Sequence, residues 1–210
     1  MRLPVRAVIA CACLGLGMPF AAAAQSQAPN RIHQTPPGLG QFPYSDADVE
    51  FMSGMIPHHA QAVIMAGWAP THGARKDVAI LCERIVVGQR DEIATMQQWL
   101  SDRGQPVPDA TSTKHKMTMN GMEHEMLMPG MMTDEQMAAL DKARGPEFDR
   151  LFLEGMIRHH KGAIDMVDVL FKSYGAAQDE SIYKFASDVQ ADQSIEIARM
   201  QKMLGDTQHD

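Results

Sequence analysis

The chain has 210 residues, 45% of them hydrophobic, which is room for one domain of moderate size with tails. Its formal charge of −7, with no basic cluster, argues against nucleic acid as a partner, and three cysteines, two of them Cys11 and Cys13, leave no disulfide framework and no Cys-based zinc site. Aromatics are scarce at 6%, yet there are 18 Met, and all but Met1 and Met18 fall between residues 52 and 203.

Residues 1–24 read as a cleaved signal peptide: Arg2 and Arg6 give a positive start, Ala7 to Phe20 an apolar run, and Ala21 to Ala24 a small-residue cleavage site. The apolar lead before Cys11 is too short for a lipid-attachment box. Export would remove both early cysteines and two of the 19 basic residues, leaving Cys82 as the one thiol and a net charge near −9. The predicted location is the periplasm. No later stretch is apolar enough to span a bilayer.

Residues 25–44, rich in Gln, Pro and Gly, read as a flexible arm. Order is expected from Ser45, where Ser45 and Asp48 make a capping-box pattern ahead of Met52, Met55, Ile56, His59, Ala62, Val63 and Ala66, the spacing of one helix face. Pro57 sits inside this helix, where a kink would aim His58. A second helix is predicted over residues 77–102, its buried side holding Ile80, Cys82, Ile85, Val86, Gln89, Ile93, Met96 and Leu100, with Gly104 as its stop.

Residues 105–132 form the least regular part, a connector broken by Pro106, Pro108 and Pro129. Thr133 and Gln136 open a short helix that Gly145-Pro146 ends. Pro146 begins a third long helix with Phe152, Leu153, Met156, Ile157, His160, Ala163, Ile164 and Val167 on one face. A fourth runs over residues 179–204 with Phe185, Val189, Gln193, Ile197, Met200 and Leu204 inward, closed by Gly205 and followed by a tail over 205–210.

The chain repeats itself. Gly54-Met55-Ile56-Pro57-His58-His59 returns as Gly155-Met156-Ile157-Arg158-His159-His160, with Ala62 and Met65 matched by Ala163 and Met166. In the following helices, Gln89, Glu92, Ile93, Ala94, Met96 and Gln97 match Gln193, Glu196, Ile197, Ala198, Met200 and Gln201. The repeated unit is an αα-hairpin. Two such hairpins, each with one apolar face, predict an all-α four-helix bundle over residues 45–204.

On a helix, Met55 lies one turn from His58 and His59, and Met156 one turn from His159 and His160, so thioether and imidazole converge. That donor set suits copper, the sulfur favouring Cu(I) and the imidazole admitting Cu(II). A single core His is more often satisfied by a neighbour, here Gln89 or Gln193. Four imidazoles near one core, however, carry more buried nitrogens than such neighbours can pair. Glu92 and Glu196 either fix a His tautomer or merely border the core. Met96 and Met200 are gap-fillers by default and, because they recur, candidate extra ligands. The connector adds His115, Met117, Met119, Met122, His124, Met126, Met128, Met131 and Met132, a soft donor set where exposed thioether would otherwise be an oxidation hazard.

These paired motifs, together with Met128-Pro129-Gly130-Met131-Met132 ahead of Phe148-Asp149-Arg150-Leu151-Phe152-Leu153, resemble the exported bacterial family catalogued as domain of unknown function 305, over roughly residues 45–204. The resemblance implies a ferritin-like bundle that binds copper through Met and His in the periplasm and helps resist it. It carries the ligand role to Met55, His58, His59, Met156, His159 and His160. The connector residues rest on their own chemistry.

The expected function is copper chaperoning or sequestration without catalysis, exchanging copper ions with periplasmic or outer-membrane copper-handling proteins. A ferritin-like redox enzyme with di-iron or copper is the rival. Di-iron bundles carry Glu three residues before His, whereas Met55 and Ile56 hold those places here. A bundle whose His and Met only pack against a protein partner is the third reading.

Overall fold

The computed structural model of the protein describes residues 29–39, 42–119 and 122–206, with residues 118, 119 and 206 described by their backbone alone. The expected signal peptide, the start of the expected arm (25–28) and the last four residues of the expected tail lie outside the described residues.

Four long helices make the body: α1 (Asp46–Gly67), α3 (Lys76–Asp102), α5 (Pro146–Lys172) and α6 (Glu180–Asp206), with short helices α2 (Ala69–His72) and α4 (Asp134–Lys142) in the connections. α1 packs on α3, α5 on α6, and α1 meets α5, so the two hairpins join through the helices that carry the repeated motif. Local chemistry sets the starts. Ser45 Oγ accepts the amide of Asp48, whose carboxylate accepts the Ser45 amide at 2.7 Å; Thr133 and Gln136 do the same for α4; Pro146 opens α5. Asp48 also accepts the amide of Ala177 at 2.8 Å, tying the start of α1 to the loop before α6.

The core divides into two apolar clusters, and the repeat divides with it. Met55, Met96 and Met166 lie in one; their counterparts Met156, Met200 and Met65 lie in the other. Along α1 the first cluster ends at Ala60 and the second begins at Ala62, while along α5 the order is reversed, so each His pair falls where the clusters meet.

Several expectations are corrected. The arm over residues 25–44 is pinned where it is described: β1 (Ile32–His33) pairs antiparallel with β2 (Tyr44–Ser45), Asn30 bonds the carbonyl of Tyr174 and the amide of Ala47, and Arg31 and His33 both reach Asp46. Composition hid these individual side-chain bonds. Ile80 is exposed and Val86 half-buried, because Val78, Leu81 and Cys82 face α1 and Ile80 sits about 100° round the helix from Leu81. α6 runs through Gly205 to Asp206. The connector is not structureless: β3 (His115–Met119) and β4 (Met122–Met126) form an antiparallel hairpin. Among the described residues no helix is long and apolar enough to cross a membrane.

Candidate metal centre

All four imidazoles of the repeated motif are fully buried. The inner pair, His58 and His159, face each other across α1 and α5 with ring centroids 3.8 Å apart. Their neighbours His59 and His160 turn outward, each to a carboxylate of the partner helix in its own hairpin: His59 Nε2 donates to Glu92 Oε2 and His160 Nε2 to Glu196 Oε2, both at 2.7 Å. A carboxylate only accepts, so in the neutral ring each bond fixes the proton on Nε2 and leaves Nδ1 as a bare lone pair. Glu92 and Glu196 therefore orient the histidines. Gln89 and Gln193 do not satisfy them; their own side-chain oxygens are buried without a partner.

The inner pair is not symmetric. His58 Nε2 donates to the carbonyl of Pro129 at 3.0 Å, whereas His159 has no partner on either nitrogen. Nδ1 of His58, His59 and His160 is likewise buried without a partner. A neutral His159 keeps a proton on one of its two nitrogens, so the core holds four bare lone pairs and one unpaired N–H, and the four lone pairs are an unmet demand for an electron-pair acceptor. Burial, with the neighbouring His59, holds the His58 imidazole down at about 3, and burial, with His58 beside it, holds His159 well below its ordinary range. Both are neutral at physiological pH and need lose no proton to bind a metal.

The Pro129 carbonyl gets there because the connector lies directly on α5. A Cβ on Gly162 would stand 1.9 Å from Pro129 O, and one on Gly130 2.4 Å from Arg158 O, so glycine at both positions permits backbone contact. In the other half of the repeat Gln61 stands where Gly162 does, and it clamps the connector instead: Nε2 donates to Met132 O at 2.9 Å and Oε1 accepts Met132 N at 2.7 Å. Sequence reasoning passed over Gln61 and Gly162; their opposition at one repeat position was the available signal.

The clamp seats two thioethers. Met128 lies over Gly54, with Met166 beside it, and Met132 over Gly155, with Met65 beside it. The repeated Gly thus makes room for one connector Met in each half. Met55, Met156, Met96 and Met200 are fully buried, and Met131 and Met132 nearly so, which corrects the expectation of an exposed connector for these last two residues, with Met128 half-buried. The rest of the connector stays away from the histidines. His115 is buried against Glu50, to which its Nε2 bonds at 2.9 Å, about 12 Å along α1 from His58. Met117 is half-buried, Met122, His124 and Met126 are exposed, and the Met119 side chain lies outside the described residues. Pro57 is buried within an unbroken α1. Cys82 is buried, its thiol pushed up to about 12, and takes no part.

Among the described residues no three His, Cys, Asp or Glu side chains are gathered as a ready metal cage. A centre here has to draw on thioether as well as imidazole, and the donor set fits a soft or borderline ion.

A family model described as "Domain of unknown function (DUF305)" matches residues 48–204. A DUF305 protein from Streptomyces coelicolor superposes with a TM-score of 0.64 at 27% identity, over 77% of this chain and 93% of that one. CopM in its Cu(II)-bound form superposes with a TM-score of 0.60 at 29% identity, over 76% and 96%; CopM has also been solved in Cu(I)-bound and Ag-bound forms. The uncharacterized protein L153 of Acanthamoeba polyphaga mimivirus is 32% identical over 56 residues, so the chain spans 37% of that curated relative's length.

Proposed function

Because the chain belongs to the DUF305 family, we propose that it is a periplasmic copper-binding protein that holds and passes on copper rather than catalysing a reaction. The observation that carries this reading is the set of bare, buried nitrogens on His58, His59, His159 and His160 at the junction of the two apolar clusters that hold the repeated methionines. Met55 and Met156, with Met128 and Met132 brought in by the connector, supply thioether, which favours Cu(I) and keeps its lone pairs in acid. The imidazoles admit Cu(II). CopM, of similar fold, is known with copper in both states. Glu92 and Glu196 hold the outer rings for the ion, and the site's depth suits retention followed by handover to a periplasmic or outer-membrane copper-handling protein.

The test is a titration of the full-length chain with Cu(I) against a coloured chelator. Competition for the metal is expected, with loss on changing His58 and His59 together to Ala. Failure to compete, or no loss in the double variant, would overturn the reading. Metal analysis of protein purified without added copper separates it from the enzymatic rival, for which two irons per chain would speak.

A further inference from the structure

We propose that the β3/β4 hairpin is a second site for a soft monovalent ion, Cu(I) or Ag(I), built from Met117, Met122, His124 and Met126. The register decides this. It sets Met117 opposite His124, His115 opposite Met126, and Lys116 opposite Glu125. Successive strand residues point to opposite sides, so Met117, Met122, His124 and Met126 share one face, and Lys116, Glu123 and Glu125 take the other.

On that face His124 is the hub. Met117 stands across the ladder from it, with Cβ atoms about 5 Å apart, and Met122 and Met126 flank it two residues away on its own strand, about 7 Å off. Met has three rotatable bonds, so the thioethers can close on an ion held by the imidazole. His124, Met122 and Met126 are exposed, the two methionines at 61% and 45%. His115 is spent on Glu50 and takes no part. With the hairpin's carboxylates turned away, the face offers sulfur and imidazole, a set that prefers Cu(I) or Ag(I) to hard cations.

The bland reading, an oily strand face, meets two objections. Met122 and Met126 are exposed where packing gains nothing and oxidation threatens. A two-stranded hairpin is also marginal by itself, and an ion bridging Met117 on one strand to His124 on the other would clip it shut. The site stands apart from the bundle centre, and either can fail alone.

The test uses the full-length chain labelled with 13C in its Met methyl groups and titrated with Ag(I) in excess free methionine, so that a lone thioether cannot hold the ion. The Met117, Met122 and Met126 methyl signals are expected to move together, amide exchange in 122–126 to slow, and His124→Asn to abolish both effects. The variant Met117→Leu/Met122→Leu/His124→Asn/Met126→Leu is expected to bind one Ag(I) fewer per chain while the Met55 and Met156 signals behave as before. These side chains lie outside the core, so unchanged circular dichroism should accompany the loss. Hairpin methyls that stay put, or that move just as well without His124, would overturn the proposal. Movement of the hairpin methyls with a silent bundle would overturn the copper reading of the bundle and leave this site standing.

Discussion

The imidazole of His58 lies against that of His159 at 3.8 Å between ring centroids, with the planes 39° apart and neither ring reaching solvent. Folded, both stay neutral far into acid, His58 down to about 3. Unfolded, both titrate near 6.5. Below about pH 6.5 the unfolded chain therefore binds more protons than the folded one, so the stability present above that pH is lost as pH falls. The slope is about 1.4 kcal/mol per pH unit for each ring and about 2.7 kcal/mol for the two. Urea midpoints of the metal-free chain between about pH 7 and about pH 5 check this, against the opposite push of Asp48 and Asp149, whose carboxyls burial raises. A flat profile would contradict the buried, neutral pair.

His159→Leu should separate stability from binding. The substitution removes two unpartnered buried nitrogens in favour of a side chain of similar bulk, and the metal-free chain is expected to gain about 1 to 3 kcal/mol. Copper binding should fall. His58→Leu should not show the same gain, because it strips the Pro129 carbonyl of its donor. Chemical denaturation of both variants beside chelator competition reads out the contrast; equal gains would mean that the connector bond to His58 contributes nothing.

Glu92→Ala and Glu196→Ala test the outer rings. Each removes the acceptor that keeps the His59 or His160 proton on Nε2, and copper affinity is expected to drop about 10- to 100-fold with the helices intact. The Gln variants, which retain an accepting oxygen, should recover part of the loss. If Ala and Gln behave alike, tautomer control is not what these carboxylates supply.

Much of this arrangement could be read from the chain because it is local or repeated. The caps at Ser45 and Thr133 depend on residues three apart, and the Gly-Met-Ile-x-His-His repeat declares both the hairpin unit and the histidines. What stayed hidden is long-range. Gln61 meets Met132, and Pro129 meets Gly162 and His58, only after the connector folds back across α1 and α5. The β3/β4 hairpin was missed for another reason. His115-Lys116-Met117 and Met122-Glu123-His124-Glu125-Met126 alternate with the period of a strand, and Asn120-Gly121 between them is a hairpin turn signal, but a crowd of methionines draws attention to composition ahead of pattern. Glu92 and Glu196 lay between these cases: the repeat marked them, while their bond to the outer ring of each pair needed coordinates.

The docking of the connector is open to a paired glycine test. Gly162 is buried under Pro129, and an added Cβ would meet the carbonyl oxygen at 1.9 Å, with Gly130 N at 2.7 Å, so there is only backbone to push against. Gly88, in α3, is exposed and has nothing within 4 Å of the equivalent position. Gly88→Ala should therefore stabilise the chain by about 0.5 to 1 kcal/mol, the ordinary helical gain. Gly162→Ala carries the same gain in helix propensity but must drive residues 129–130 off α5, at a net cost of about 1 to 3 kcal/mol. Lifting the connector also withdraws the Pro129 carbonyl from His58 and unseats Met128 and Met132 from Gly54 and Gly155. Faster amide exchange over 128–132 and weaker Cu(I) binding should accompany the lost stability in Gly162→Ala, and neither should appear in Gly88→Ala. If both alanines stabilise alike, the connector does not rest on α5, and the asymmetry between His58 and His159 loses its cause.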